Sequence, residues 1–359
     1  MYLDLEELVA GAFVAGKDMN SREYCPPYWD SSLPLYERAI QEIEKIRSAV
    51  HWFPAFEREL PPEAVYSSLI SALGKARDDG ALPAGLVHRL ADLPENIRLV
   101  YFSGDPGELS SPRRIGLPPE GKPAGQVHVV VPFRARHSTL RLRNILACLH
   151  SVRSQSDANV KFYVTVVESD ESPVHRDRLE PWVDNYVFQY QPGPFNKSAS
   201  LNAGVACTKE DSDVLCLLDA DIVVDREFVS RILCESQNAS AFLPYEDAFY
   251  LDLESSSRVV DGLDADGADF VGTLSGCLLR RPPGGCVVVS SERFRSVGGF
   301  DPSFVGWGGE DRDFITRLER ESPVPRTPHT LLHLMHERPE MANAAPRATH
   351  DPQAPGALA

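Results

Sequence analysis

Two carboxylates stand two residues apart at Asp219 and Asp221, directly after the apolar run Val214–Leu218. A short apolar run predicts a buried strand, so both carboxylates are expected at the mouth of that strand. Carboxylate oxygens suit Mg²⁺ or Mn²⁺, and these ions commonly keep open positions for substrate phosphates. The same triplet recurs at residues 264–266, in a segment rich in glycine and aspartate with no strand before it. We interpret that second copy as a solvated loop and the first as a candidate metal site.

A close pair of histidines, His333 and His336, follows much later in the chain. An imidazole ligand beside a carboxylate would favour Mn, Fe, Co or Zn over Mg²⁺. The alternative is a pair of ordinary surface or core histidines. Spacing alone leaves both interpretations open.

A glycine-rich segment at residues 306–311 places three glycines around Trp307, followed by two carboxylates, Glu310 and Asp311. Glycines permit hinge-like backbone geometry, and tryptophan offers a flat face of the kind that packs on sugar rings. The acids fall in the first turn of a predicted helix, where they would also complement the helix dipole. Helix capping would account for Asp311 and Asp313, but not for the glycines that flank the tryptophan.

Aromatic and cationic residues stand at two predicted strand-to-helix junctions. The first junction carries Pro132, Phe133, Arg134 and Arg136, and the second carries Phe195 and Lys197. Either segment alone would be interpreted as solvated surface. Because both lie at junctions of one predicted sheet, beside a carboxylate pair, they indicate a site for an anionic nucleotide.

The elements that must position these residues alternate in type from Val127 onward. Short apolar runs predict strands at residues 127–131, 162–167, 186–190 and 214–218, with helices at 139–152 and 196–207. This alternation is typical of an α/β domain with a mainly parallel sheet. Such sheets bind ligands beyond the carboxyl ends of their strands, where the candidate residues stand.

The chain of 359 residues is long enough for a large domain and a smaller one. Residues 1–120 show apolar spacing of three and four and predict a helical accessory domain that ends in a linker rich in proline, glycine and serine. Residues 121–340 form the predicted α/β domain. Residues 341–359 are rich in alanine and proline and are predicted to be disordered.

Composition narrows the class of protein further. The formal net charge of -16 argues against nucleic acid or an anionic membrane as a partner, because both depend on excess lysine and arginine. The seven cysteines show no paired spacing, and several lie in apolar runs, which predicts reduced thiols. The amino terminus is acidic, and no apolar run reaches the ~18 residues that a membrane span needs. We therefore expect a cytoplasmic protein without a membrane span, of unknown oligomeric state.

Taken together and in their order along the chain, these segments resemble the β-1,4-galactosyltransferase family and its relatives among chondroitin-type polymerases and polypeptide N-acetylgalactosaminyltransferases. The resemblance covers about residues 127–339 and is most specific at residues 306–311, whereas the amino-terminal third resembles no family that we identify. It implies the GT-A fold, a Rossmann-like sheet, and an enzyme that uses a UDP-sugar donor with Mn²⁺, with Mg²⁺ or another divalent ion as alternatives. The implied acceptor is a carbohydrate or a glycosylated small molecule.

The resemblance also implies a role for each candidate residue. Asp221 and His336 would bind the metal, with His333 as a third ligand at a position where the galactosyltransferases use methionine. Asp311 would be the general base of an inverting transfer, and Glu310 would help to hold the acceptor. The implied donor pocket consists of Pro132, Phe133, Arg134, Arg136, Phe195, Lys197 and Asp219, with Trp307 covering the donor from a mobile loop.

One departure from the family pattern concerns the donor sugar. Galactose-using members carry aromatic residues just before a Gly-Gly pair that opens a strand, and residues 282–287 here lack them. Galactose is therefore not specified, and N-acetylgalactosamine, N-acetylglucosamine, glucose and glucuronic acid stay open.

Two other functions remain as alternatives. A nucleotidyltransferase acting on sugar phosphates also places acidic pairs after sheet strands, but it would usually show a glycine-rich phosphate loop after its first strand, which residues 134–137 do not form. A non-catalytic carbohydrate-binding protein of the same fold is the second alternative.

Overall fold

The computed structural model describes residues 5–18, 22, 26–55, 62–82, 99–104, 124–208, 214–263, 274–306 and 308–337. The predicted linker after residue 104, the second aspartate triplet at 264–266, Trp307 and the predicted tail at 341–359 lie outside the described residues.

The described residues contain strands that are separated in part by helices and in part by short turns. They are β1 (Leu99–Gly104), β2 (Gln126–Phe133), β3 (Lys161–Asp170), β4 (Asn185–Tyr190), β5 (Val214–Leu218), β6 (Ile222–Val223), β7 (Ala241–Phe242), β8 (Asp247–Leu251), β9 (Leu274–Arg280), β10 (Cys286–Ser290) and β11 (Thr330–His333).

The helices lie in the amino-terminal segment and between the strands. They are α1 (Leu5–Lys17), α2 (Pro26–Ala49), α3 (Pro62–Asp78), α4 (Thr139–Arg153), α5 (Arg176–Leu179), α6 (Lys197–Val205), α7 (Phe228–Glu235), α8 (Leu253–Gly262), α9 (Ser291–Ser296) and α10 (Glu310–Glu321), with a 3-10 turn at Glu180–Trp182. No helix in the described ranges combines the length and the apolar character that crossing a membrane requires.

The larger sheet contains the four strands predicted from apolar runs, and it has the order β4-β3-β2-β5-β10-β7. The strands β4, β3, β2 and β5 are mutually parallel, whereas β10 runs antiparallel to both β5 and β7. Every residue of β5 is buried, as expected for a central strand covered on both faces. The predicted α/β class with a mainly parallel sheet is therefore confirmed.

Helices α4 and α6 begin at the carboxyl ends of β2 and β4, where their caps fix the direction of the chain. Ser138 accepts a hydrogen bond from the Arg141 amide at the start of α4, and Asn196 accepts one from the Ala199 amide at the start of α6. Capping of this kind satisfies amide groups that have no partner inside the helix. Both helix starts consequently face the ligand-binding edge of the sheet.

A second sheet was not predicted from the sequence. It has the order β1-β9-β8-β11-β6, and its short strands β6 and β11 pair antiparallel, with Ile222 opposite His333. This pairing brings the end of the described chain alongside the segment that directly follows the aspartate triplet.

The amino-terminal helices form a hydrophobic cluster of their own, built around Phe13, Tyr36, Ile43 and Leu69. The predicted helical character of this part of the chain is thus observed. Strand β1 also belongs to the amino-terminal segment, and it pairs with β9 of the second sheet. The predicted domain boundary near residue 120 stays a prediction.

Candidate active site

The backbone around Asp221 is fixed from two sides by the sheets. The amide of Asp219 donates to the carbonyl of Gly285 at 2.9 Å, and the amide of Leu334 donates to the carbonyl of Asp221 at 2.8 Å. Since Ile222 also pairs with His333, the triplet and the histidine segment are held in one register.

Asp221, His333 and His336 converge on one point, which we call the metal corner. His333 Nε2 lies 3.4 Å from Asp221 Oδ1, and His336 Nε2 lies 3.0 Å from Asp221 Oδ2. One potential ligand atom from each residue lies within 4.8 Å of the other two. The structure thus brings together the three predicted metal ligands.

The donor set of the metal corner fits a divalent cation. Asp221 Oδ1 is buried and accepts no hydrogen bond from the residues that the structure describes, so a cation would satisfy it. Although burial opposes ionisation, His333 and His336 lower the pKa of Asp221 well below its usual range. Two imidazoles with one carboxylate suit Mn, Fe, Co or Zn better than Mg²⁺.

Neighbouring groups orient both imidazoles. His336 Nδ1 lies 2.8 Å from the carbonyl of Glu337, to which it can donate. In the neutral tautomer that keeps this proton, the Nε2 lone pair would be free to bind a cation at the metal corner, whereas in the charged form Nε2 donates to Asp221. Burial disfavours charge on His336, but the hydrogen bond with Asp221 outweighs burial and raises the pKa of this histidine. The ring of His333 stacks on Tyr250 with a centroid distance of 4.1 Å.

Helix α4 holds the segment that carries His336. The Arg141 guanidinium donates to the carbonyl of Glu337 at 2.7 Å, and the Ser138 hydroxyl donates to the Glu337 carboxylate at 2.6 Å. Neither Ser138 nor Arg141 was among the predicted site residues, because their partner is nearly two hundred positions away in the chain.

Lys197 lies between two carboxylates at what we call the base corner. Its Nζ atom lies 2.7 Å from Asp219 Oδ1 and 3.0 Å from Asp311 Oδ2. Burial raises the pKa of both carboxyl groups, and Lys197 opposes that rise. Burial likewise disfavours charge on Lys197, but the two carboxylates outweigh it and hold the lysine pKa well above its ordinary value.

The three glycines around Trp307 have backbone conformations that favour glycine. Gly306, Gly308 and Gly309 have φ values of 89°, 101° and 100°, a region that side chains disfavour. The amide of Gly306 donates to the carbonyl of Phe195 at 2.8 Å, which ties this loop to the start of α6. The loop therefore positions the start of helix α10, which contains Asp311, at the base corner.

Helix capping does not account for Asp311. Its side chain bonds Lys197 instead of a helix amide, whereas Asp313 pairs with Arg317 within the same helix at 2.8 Å. Glu310 begins the helix and is buried, and burial raises its pKa. The two predicted catalytic carboxylates thus lie side by side in different surroundings.

Arginines line the carboxyl end of β2. Arg134 is buried; its Nη2 donates to the carbonyl of Gln191 at 3.2 Å, while Nε and Nη1 find no acceptor among the described residues. Burial lowers the pKa of Arg134. Arg136 is exposed, has φ of 51° and donates from Nη2 to the carbonyl of Gly193 at 2.8 Å. This edge offers unused donors for an anion.

The remaining predicted donor-pocket residues differ in exposure. Pro132 is buried inside β2, and Phe133 is buried in the core with its ring edge against His175. Phe195 is half-buried at the start of α6. Their contact with a nucleotide stays a prediction.

Comparison with known proteins gives two family matches. Residues 128–241 match the family described as "Glycosyl transferase family 2", and residues 280–337 match the family described as "N-terminal domain of galactosyltransferase". The first match contains Lys197, Asp219 and Asp221, and the second contains Asp311 and both histidines of the metal corner.

Curated relatives match over part of their length. The chain is 26% identical over 235 residues to chondroitin sulfate N-acetylgalactosaminyltransferase 1 of Mus musculus, covering 61% of this chain and 42% of that protein. It is 28% identical over 242 residues to beta-1,4-galactosyltransferase 2 of Homo sapiens, covering 66% of this chain and 51% of that protein. The chain thus spans about half the length of these relatives or less.

Among solved structures, GalNAc-T7 with UDP, GalNAc and Mn²⁺ is similar with a TM-score of 0.42 and 14% identity, covering 59% of this chain and 44% of that one. The two family matches and the mainly parallel sheet confirm the predicted resemblance and the GT-A fold class.

Proposed function

We propose that this chain is a metal-dependent glycosyltransferase that moves a hexose or an N-acetylhexosamine from a UDP-sugar to an acceptor hydroxyl with inversion. One observation supports the proposal: the metal corner and the base corner each contain one carboxylate of the triplet that directly follows β5. Asp221 faces the two histidines, and Asp219, two residues earlier, shares Lys197 with Asp311. A cation-binding group and a carboxylate base thereby flank one position at the edge of the sheet.

The donor would lie along the carboxyl ends of β2 and β4. The unused guanidinium donors of Arg134 and the exposed Arg136 suit a phosphate-bearing nucleotide in a chain that is otherwise acidic. Asp221, His333 and His336 would hold Mn²⁺, and the bound ion would neutralise charge on the departing diphosphate.

Asp311 would remove the proton of the acceptor hydroxyl. As that oxygen forms its bond to the anomeric carbon, the bond from this carbon to the diphosphate oxygen breaks, and the proton passes to the Asp311 carboxylate. A single displacement of this kind inverts the anomeric configuration. A double displacement would need a carboxylate nucleophile on the opposite face of the sugar.

The class of donor sugar is proposed from two sources. The relatives are named for galactose and N-acetylgalactosamine transfer, and residues 282–283 are prolines where galactose-using enzymes carry aromatic side chains. We therefore keep the proposal at hexose or N-acetylhexosamine, with a carbohydrate or a glycosylated small molecule as acceptor.

The test is a panel of UDP-sugars and other nucleotide sugars incubated with the chain and Mn²⁺, with donor hydrolysis and transfer to simple glycosides as readouts. We expect turnover with at least one UDP-sugar and its loss on chelation of the metal. No turnover and no metal-dependent nucleotide binding with any donor would overturn the proposal. Cleavage of the nucleotide between its phosphates, instead of at the sugar, would favour a nucleotidyltransferase.

A further inference from the structure

The carboxylate of Asp311 is enclosed on two sides. Lys197 Nζ lies 3.1 Å from Oδ1 and 3.0 Å from Oδ2. The backbone of Gly284 also lies against this carboxylate, so close that a β-carbon there would stand 2.2 Å from Oδ2 and 2.9 Å from the carboxyl carbon. Asp311 therefore rests against a surface that exists only because residue 284 has no side chain.

Two adjacent glycines serve different purposes here. Gly285 has φ of 107°, a conformation that favours glycine. Gly284 is not among the residues with positive φ, so its φ does not itself require glycine. The requirement for glycine at residue 284 is consequently one of space next to Asp311.

The turn that contains Gly284 is firmly held. The buried hydroxyl of Tyr245 lies 2.8 Å from the carbonyl oxygen of Pro282 and 2.6 Å from that of Gly284, and its one proton can be donated to either of them. Arg326 Nη2 also donates to the carbonyl of Pro282 at 2.9 Å. Since the turn is fixed, a methyl group at residue 284 would displace the Asp311 carboxylate and not the turn.

We propose that Gly284 is a positioning residue: its bare backbone, together with the ion pair to Lys197, sets the place from which the Asp311 carboxylate takes the acceptor proton. This inference rests on the proposed function. Residue 284 would act through Asp311, the residue whose atoms lie nearest to a β-carbon added there. Displacement of a reacting group by about 1 Å can reduce a rate about 100-fold.

The experiment compares Gly284→Ala with the matched control Gly262→Ala, at the end of α8, where an added β-carbon meets no atom within 4 Å. We expect kcat to fall about 100-fold in Gly284→Ala, with the donor KM and the Mn²⁺ affinity unchanged. The control should keep wild-type values. A Gly284→Ala variant that is as active as the control would overturn the inference, and so would a loss that appears only in donor KM.

A double-mutant cycle separates positioning from general damage. In an Asp311→Asn background the Gly284→Ala change should cost almost nothing further, because the group that it displaces no longer acts as a base. An equal loss in both backgrounds would overturn the inference.

If Gly284→Ala fails to fold, as judged by circular dichroism, Tyr245→Phe decides the question. It removes the hydroxyl that binds the carbonyls of the turn and keeps the buried ring, so we expect a kcat loss of about threefold to tenfold at constant donor KM. An unchanged kcat would then overturn the inference. A wild-type chain without transfer overturns both proposals, whereas an active wild type with an equally active variant overturns this one alone.

Discussion

The metal corner and the base corner contain carboxylates that stand two residues apart directly after β5. The pKa of the carboxylate nevertheless shifts in opposite directions at the two corners. At the metal corner, two imidazoles outweigh burial and lower the pKa of Asp221. At the base corner, burial outweighs one shared ammonium group and raises the pKa of Asp219 and Asp311. Two imidazoles and the charge of Arg141 act against burial at Asp221, whereas neighbouring carboxylates add to the effect of burial at Asp219 and Asp311.

This difference suits the two proposed tasks. A metal ligand must stay ionised over a wide pH range, and Asp221 meets that need. A general base works best when its pKa lies closer to the working pH, and burial moves Asp311 in that direction. The comparison predicts effects of decreasing size when each corner is altered in turn.

The largest effect is expected from Asp311→Asn, which keeps the shape of the side chain and removes its basicity. The kcat should fall about 100-fold to 10,000-fold, because an amide does not take the acceptor proton as a base. Asp313→Asn is the matched control, since Asp313 lies in the same helix turn and pairs with Arg317. Steady-state transfer assays measure both, and equal activity of the two variants would contradict the role of the base corner.

The next effect concerns the metal corner alone. Asp221→Ala removes the carboxylate that both imidazoles face, so Mn²⁺ affinity should fall about 100-fold or more, beyond the range typical of changes around a ligand. Isothermal titration with Mn²⁺ measures this directly. Asp225→Ala would be a poor control because Arg231 pairs with Asp225. The exposed Asp177→Ala serves instead, and unchanged affinity in Asp221→Ala would refute the site.

A smaller effect should separate the two histidines. His336→Ala and His333→Ala should each reduce Mn²⁺ affinity about tenfold or more if both imidazoles bind the ion. The exposed His51→Ala, in the turn that follows α2, is the control. Equal losses support a site with two imidazoles, whereas a loss in His336→Ala alone would assign His333 a structural role beneath Tyr250.

The smallest effect is a change in pH dependence on replacing the shared lysine. Lys197 lowers the pKa of Asp311 against the effect of burial, so Lys197→Met should raise that pKa further. Because the base acts when deprotonated, activity is present above its pKa and lost as the pH falls through it. The acidic limb of the kcat profile should therefore move to higher pH, and the exposed Lys161→Met should leave it in place. If the acidic limb stays in place in Lys197→Met, the proposed effect of the lysine on the pKa of the base is wrong.

Much of the larger sheet could be predicted from local pattern. The predicted strand at 214–218 coincides with β5, and those at 127–131 and 162–167 lie within β2 and β3. Buried strands of this type are continuous apolar runs, which local sequence reveals. The second sheet could not be predicted in this way, because β6 has two residues and pairs with a segment near the other end of the described chain.

The candidate site, like the fold, could be predicted only in part from the sequence. The predicted metal ligands converge as expected, since each stands at the end of an apolar run. The ion pair of Lys197 with Asp311 and the contact of Gly284 with that carboxylate were not predicted. A flexible lysine and a residue without a side chain leave no periodic pattern, and both contacts depend on how distant segments pack.

The pairing of β6 with β11 also limits how the chain can change in length. Leu332 and Leu334 are buried in the core on either side of His333, because successive side chains of a strand point to opposite faces. Inserting or deleting one residue in this strand would bring a leucine opposite Asp221 and send the imidazole into the core. This short segment should therefore tolerate substitution at its leucines far better than any insertion or deletion.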